Sequence, residues 1–271
     1  MPHPHSHPPG GDHADLLDLD AQVLGGYLEE LVGWTAGLAP AEVRTVVDVG
    51  AGTGVGAVAL ARRFDAAEVV ALDRSELMLQ RTLAAAAGAG VADRVRAEPA
   101  DLDTEWPSSV DRADVVWASS SLHEVADPER LLSDVLAALL PGGLLVVVEI
   151  DGLPRVLPDD VGAGLGERCT VALLEAGWNH HPDWAPLLRR AGFEQVDRRT
   201  VVSGSSADPA ATSRFARAWL RRMRRGLDGR LPADDLALLD SILVDPASDF
   251  VVRGCRTAWA ARRPLSSGGS R

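Results

Sequence analysis

The chain contains no lysine, since all 27 of its basic residues are arginine. Schiff-base chemistry, pyridoxal attachment and the lysine of phosphate-binding loops all need an ε-amine, so those mechanisms are excluded. Arginine in place of lysine, amid abundant Ala and Gly, is also what a GC-rich bacterial genome produces. Cysteine is scarce: Cys169 and Cys255 are too few for a disulfide framework or a metal cage, so a reduced, cytoplasmic protein with no metal is expected. Long apolar runs are missing, and none would span a bilayer, which predicts no membrane partner. The N-terminus carries His3, His5, His7 and His13 among Pro and Gly. It lacks the basic and apolar regions of a signal peptide and reads as an unstructured tail.

Positive charge is also short. Acidic residues number 39, for a formal charge of −12, which argues against general affinity for nucleic acid. The deficit is uneven: residues 185–271 hold 16 Arg against 9 acidic residues, while residues 1–184 hold 11 against 30. The 271 residues, 46% of them hydrophobic, suffice for one large domain or a domain with a cap.

Residues 14–38 have apolar positions at mostly helical spacing, interrupted by Gly25 and Gly26, and predict one or two helices. From Thr45 onward, short apolar runs alternate with helical patterns. Strands are predicted at 45–49, 68–72, 95–98, 113–118 and 144–150, and helices at 55–64, 75–87 and 128–140. That rhythm signals a parallel sheet covered on both faces. Beyond Asp151 the pattern loosens. Helical pieces are expected near 167–176, at 183–191, 209–227 and 233–244, with strands at 194–202 and 250–262.

The informative segment is Val46-Val47-Asp48-Val49-Gly50-Ala51-Gly52-Thr53-Gly54, where a strand gives way to a helix. Glycines there let the backbone turn tightly and lie bare against a ligand, with helix N–H groups facing it. A tight turn alone would need them too. Asp73, nineteen residues after Gly54 at the end of the next strand, stands at the separation from which a carboxylate reaches a ribose. Together they point to an adenosine-containing ligand. Gly52-Thr53-Gly54-Val55-Gly56-Ala57 also satisfies G-x-G-x-x-A, so an NAD(P)-dependent oxidoreductase stands as an alternative.

These motifs resemble those of the class I S-adenosylmethionine-dependent methyltransferases, and the likeness runs from about Thr45 to Val202. Asp48 to Gly54, with Ala51 and Thr53, is similar to the first motif, around the methionine end of the cofactor. Asp73 matches the ribose carboxylate, followed by Arg74, and Met78 matches a position near the adenine. Asp101-Leu102 matches the motif facing the adenine amino group. Ala118, Ser119 and Ser120 match the exit of the fourth strand near the sulfonium. Leu140-Pro141-Gly142-Gly143-Leu144 and Arg190-Ala191-Gly192-Phe193 resemble the later turns. The resemblance departs after His123, where relatives often carry an aromatic residue or a second His and this chain has Glu124.

The resemblance implies a Rossmann-like, seven-stranded α/β methyltransferase sheet with helices on both faces, an N-terminal helical cap and a helical insertion before the last strand. The expected boundaries are a tail at 1–13, a cap at 14–43, a cofactor-binding core at 44–204, an insertion and final strand at 205–264 and a tail at 265–271. It implies S-adenosylmethionine as cofactor and a small organic molecule, such as a specialised metabolite, as acceptor. A homodimer is compatible with this reading. His123 is the candidate base, its ordinary pKa suiting neutral pH; packing against the next helix is the alternative. Tyr27, Glu149, Asp151, His180 and His181 are candidate acceptor contacts, with Trp34 a further closing residue of the cap. A non-catalytic binder that has kept the cofactor pocket is a second alternative. The arginines of 213–230 oppose an apolar stripe of Phe215, Trp219, Met223 and Leu227, and read first as a solvated face or as partners of acidic groups.

Overall fold

The computed structural model describes residues 10–179, 181–204 and 208–265. Five strands pair in parallel: β1 (Thr45–Val49), β2 (Glu68–Asp73), β3 (Val95–Pro99), β4 (Ala113–Ser119) and β5 (Leu139–Ile150). β1, β4 and the second half of β5 are buried on both faces, so they read as unbroken runs of Val, Ala and Leu and do not alternate. Helices α3 (Val55–Arg63), α4 (Glu76–Gly88) and α5 (Pro128–Ala138) occupy the crossovers. With β6 (Glu194–Gly204) and β7 (Arg253–Arg262) the sheet has seven strands in the order β3-β2-β1-β4-β5-β7-β6. β7 runs against β5: Gly142 N–H donates to the Arg263 carbonyl at 3.0 Å, and Asp151 N–H to that of Cys255 at 2.9 Å. The sheet is therefore mixed, with β7 antiparallel to the parallel strands that the sequence rhythm predicts. β1 lies between β2 and β4, so the chain order switches direction there and opens a crevice at the strands' carboxyl ends.

Several boundaries differ from the sequence reading, most of all β5, which starts at Leu139 where 144 was expected. α5 ends at Ala138 instead of 140, because Leu139 is already extended and Pro141 two residues on cannot continue a helix. The N-terminal helix starts at Gly10, inside the segment expected to be a tail. His3, His5 and His7 lie outside the described residues, as does His180.

The contacts divide the described residues into two compact units. One comprises those within Leu28–Glu149, His181–Val201 and Arg256–Arg271 and holds the sheet. Its core includes Val116, Leu131, Leu145, Trp184, Phe193 and Trp259, all buried. α7 (Trp184–Arg190) begins at Asp183, whose carboxylate caps the Ala185 amide and accepts from Trp259 Nε1 at 2.9 Å.

The other unit comprises the described residues within Met1–Tyr27, Ile150–His180 and Val202–Cys255. It is built from α1 (Gly10–Leu24), α6 (Leu165–Glu175), α8 (Pro209–Gly226) and α9 (Ala233–Val244); α2 (Gly26–Leu38) follows α1 after Gly25 and lies mostly in the sheet unit. The apolar stripe of α8 is buried at Phe215 and Met223, with Leu227 just beyond its end, and Trp219 stacks on Phe215. Its arginines meet acidic groups and helix ends: Arg224 forks onto Asp240 at 2.9 and 3.1 Å, and Arg217 caps the end of α9 through the Leu243 carbonyl at 2.8 Å. Among the described residues no helix is long and apolar enough to cross a membrane.

Candidate functional site

The crevice at the end of β1 is formed by the glycine turn. Gly50, Gly52 and Gly54 have φ of +68°, +55° and +87°, a conformation that L side chains avoid. Two of them also allow close approach. A Cβ on Gly50 would stand 2.5 Å from Cβ of Ser121, and one on Gly54 would stand 2.6 Å from Cα of Thr82. The glycines thus let the turn press against the exit of β4 on one side and against α4 on the other.

Hydrogen bonds hold the turn from behind. Ala51 N–H donates to the Leu72 carbonyl at 2.9 Å, and Gly52 N–H to Asp73 Oδ2 at 2.9 Å. Asp73 Oδ1 accepts from Ser75 N–H at 2.8 Å. Each carboxylate oxygen has two lone pairs, so Asp73 can order the loop and still accept from a ribose. Thr82 Oγ1 donates to the Gly52 carbonyl at 3.0 Å, and Ser121 Oγ to that of Val49 at 2.7 Å. The sequence reading missed both residues. Ser121 directly follows the named Ser119 and Ser120; for Thr82 the only signal is a polar residue on the apolar side of α4.

Asp48 sits on β1 under this turn, 2% exposed, with Oδ2 unpartnered among the described residues. Burial, and then the charge of Asp73, push its pKa up to about 7 against the opposing Ala57 N–H. Ala100 N–H donates to the Asp73 carbonyl at 3.1 Å, bringing the start of the Asp101-Leu102 loop to the tip of β2. Asp101 folds that loop by accepting from Asp103 N–H at 3.1 Å, and the Leu102 carbonyl accepts from the Arg130 guanidinium. Met78 is buried on the first turn of α4, whereas Arg74 is exposed.

At the exit of β4, Ala118 is buried and Ser119 lies in register with Val148 of β5. Ser120 adopts φ +53°, unusual outside glycine, while its N–H donates to the Val148 carbonyl at 2.7 Å. A short 3-10 turn, Leu122–Glu124, follows and places His123 between two carboxylates. Its Nδ1 lies 2.8 Å from Oε2 of Glu149 and its Nε2 3.3 Å from Oε1 of Glu124. Burial would lower the His123 pKa, but the hydrogen bonds and charges of Glu124 and Glu149 outweigh it and push it up to about 10. Both carboxylates thus favour the protonated ring, where the sequence reading took the ordinary pKa of histidine.

The remaining sequence candidates divide between the two units. His181 belongs to the sheet unit, its ring edge-on to Trp259 with centroids 6.1 Å apart. Trp34 is in the sheet unit, Tyr27 and Asp151 in the helical unit. The helical unit has a cavity of about 210 Å³ lined by residues that include Leu157, Pro158, Cys169, Thr170, Leu220 and Met223. Burial, and then the charge of Asp235, push the Cys169 thiol up to about 11, away from the thiolate form.

A family described as "Methyltransferase domain" matches residues 46–143, from β1 to the turn within β5. The chain is 31% identical over 189 residues to a demethylmenaquinone methyltransferase of Clavibacter sepedonicus, an alignment covering 64% of this chain and 75% of that protein. It is 37% identical over 204 residues to a trans-aconitate 2-methyltransferase of Variovorax paradoxus, covering 71% and 73%. The fold is shared with the crystal structure of a SAM-dependent methyltransferase from Aquifex aeolicus, at a TM-score of 0.54 and 16% identity, covering 92% of this chain and 96% of that one.

Proposed function

The chain belongs to the class I S-adenosylmethionine-dependent methyltransferases, and from that premise we propose that it methylates a small organic molecule at the crevice beyond β1 and β4. S-adenosylmethionine is the co-substrate of this family, which answers the oxidoreductase alternative left open by the G-x-G-x-x-A pattern. When bound, it supplies an electrophilic methyl carbon on a cationic sulfur. The observation that carries the site assignment is the left-handed Gly50-Gly52-Gly54 turn tied to Asp73 through the Gly52 amide.

In this reading the backbone of Gly50 to Gly54, with Ala51 and Thr53, holds the methionine end, and Asp48 supports the turn from β1. Asp73 takes the ribose with its free lone pairs. Arg74, Met78, Asp101 and Leu102 border the adenine, and Ala118, Ser119 and Ser120 border the sulfonium. Alignment can supply much of the rate of a direct displacement at carbon. The turn and the β4 exit supply it by fixing donor and acceptor on rigid strand ends. His123 and Glu149 face the acceptor, with His181 of the same unit as a further acceptor contact. The expected cytoplasmic location and homodimer belong to the same reading, and the dimer is checked by the mass in solution.

The test is calorimetry with S-adenosylmethionine and S-adenosylhomocysteine, followed by a mass-spectrometric screen for compounds that gain one methyl group. Heat with both ligands and a methylated product are the expected results. Folded protein that gives no heat with either compound overturns the site assignment.

A further inference from the structure

The two carboxylates on His123 are not equivalent. Glu149 lies on β5 and is 1% exposed, and its Oε1 has no hydrogen-bond partner among the described residues. A buried carboxylate that depends on one partner is costly to leave alone, so its pairing with Nδ1 is fixed. Glu124 is at the end of the short turn, its side chain 31% exposed, and at 3.3 Å its contact with Nε2 is the longer one. Solvent can replace that contact at little cost. Nε2 is thus the exchangeable end of a fixed cation, at the carboxyl edge where β4 and β5 end.

Resting on the site assignment above, the geometry points to an acceptor of the carboxylate class, one of whose oxygens takes the place of Glu124 Oε1 on His123 Nε2. Glu149 is then the positioning residue that holds the ring, and Glu124 is a built-in competitor that occupies Nε2 when no acceptor is present. The chemistry balances without a base. The second carboxylate oxygen forms its bond to the methyl carbon as the carbon–sulfur bond breaks, and the electron pair of that bond stays on sulfur. The product is a neutral methyl ester and no proton is released, so a histidine held as a cation orients the acceptor without having to deprotonate it.

The test uses full-length protein saturated with S-adenosylhomocysteine and follows the side-chain NMR signals of His123, assigned with His123→Gln. Benzoate and tricarballylate are the probes, each compared with its neutral amide. The carboxylates are expected to move the His123 signals and the amides to leave them in place. Glu124→Ala, an exposed change, is expected to tighten carboxylate binding about fivefold by removing the competing charge. If S-adenosylhomocysteine binds but carboxylates leave His123 unmoved, or bind no better to Glu124→Ala, the inference is overturned. Absence of S-adenosylhomocysteine binding would instead overturn the site assignment on which it rests.

Discussion

Asp73 Oδ2 accepts a hydrogen bond from the Gly52 amide at 2.9 Å, so the tip of one strand holds the turn that follows its neighbour. Asp73→Asn keeps one acceptor oxygen and loses the charge. Expected costs are about 1.5–3 kcal/mol in folding free energy and about 10–100-fold in S-adenosylmethionine affinity. Urea denaturation and calorimetry check the two. Unchanged affinity would remove Asp73 from the cofactor site.

Gly54 combines φ +87° with a neighbour that cannot retreat, since the atom facing its absent Cβ is backbone Cα of Thr82. Gly54→Ala is expected to cost more than the roughly 1–2 kcal/mol of a left-handed L residue and to abolish measurable S-adenosylhomocysteine binding. Thr82→Ser should not rescue it, because the clash is with main chain. Melting curves and calorimetry on both variants decide this.

The Asp48 carboxyl, raised to about 7 in the folded chain from its ordinary 3.8, gives a definite pH dependence. Between about pH 4 and 7 the folded state binds more protons than the unfolded state, so this group lowers stability as pH rises through that window and adds nothing further above it. Asp48→Asn removes the titration. Relative to wild type, the variant is expected to gain stability between pH 4.5 and pH 8 by an amount on the order of a few kcal/mol. Denaturant midpoints at the two pH values measure it; parallel curves would show that Asp48 does not titrate in this range.

His123 titrates in the same sense but in a higher pH window. Its pKa is raised from 6.5 to about 10, so its contribution to stability is fully present below pH 6.5 and is lost as pH climbs toward 10. Glu149→Gln leaves a neutral partner on Nδ1 and is expected to lower the His123 midpoint by about 1–3 pH units. Glu124→Gln, at the longer and more exposed contact, should lower it less. Histidine NMR titrations order the three proteins, and equal midpoints would show that the carboxylates do not hold the proton.

The arginine-rich α8 was legible as an amphipathic helix, because a repeat of four residues buries one face wherever the helix packs. Which acids its arginines meet was not legible: Asp240 comes from α9, and only the packing of the two helices selects it. The end of α5 was misplaced by two residues, since helical periodicity runs smoothly into Leu139 and Leu140 while Pro141 already forces extended backbone before it.

The amino-acid sequence by itself determined the alternation of strand and helix, the glycine turn and the carboxylate that serves it. Each is a short-range property: side-chain periodicity sets the element, a left-handed turn demands glycine, and one βαβ unit fixes the reach from Gly54 to Asp73. Tertiary structure alone decided the surroundings of His123 and the props of the turn. Glu149 lies 26 residues from His123, and Thr82 lies 30 from Gly52. Such pairs arise only when strand register and helix packing bring separate segments within hydrogen-bond distance, and a histidine's proton affinity follows from the charges that packing places beside it.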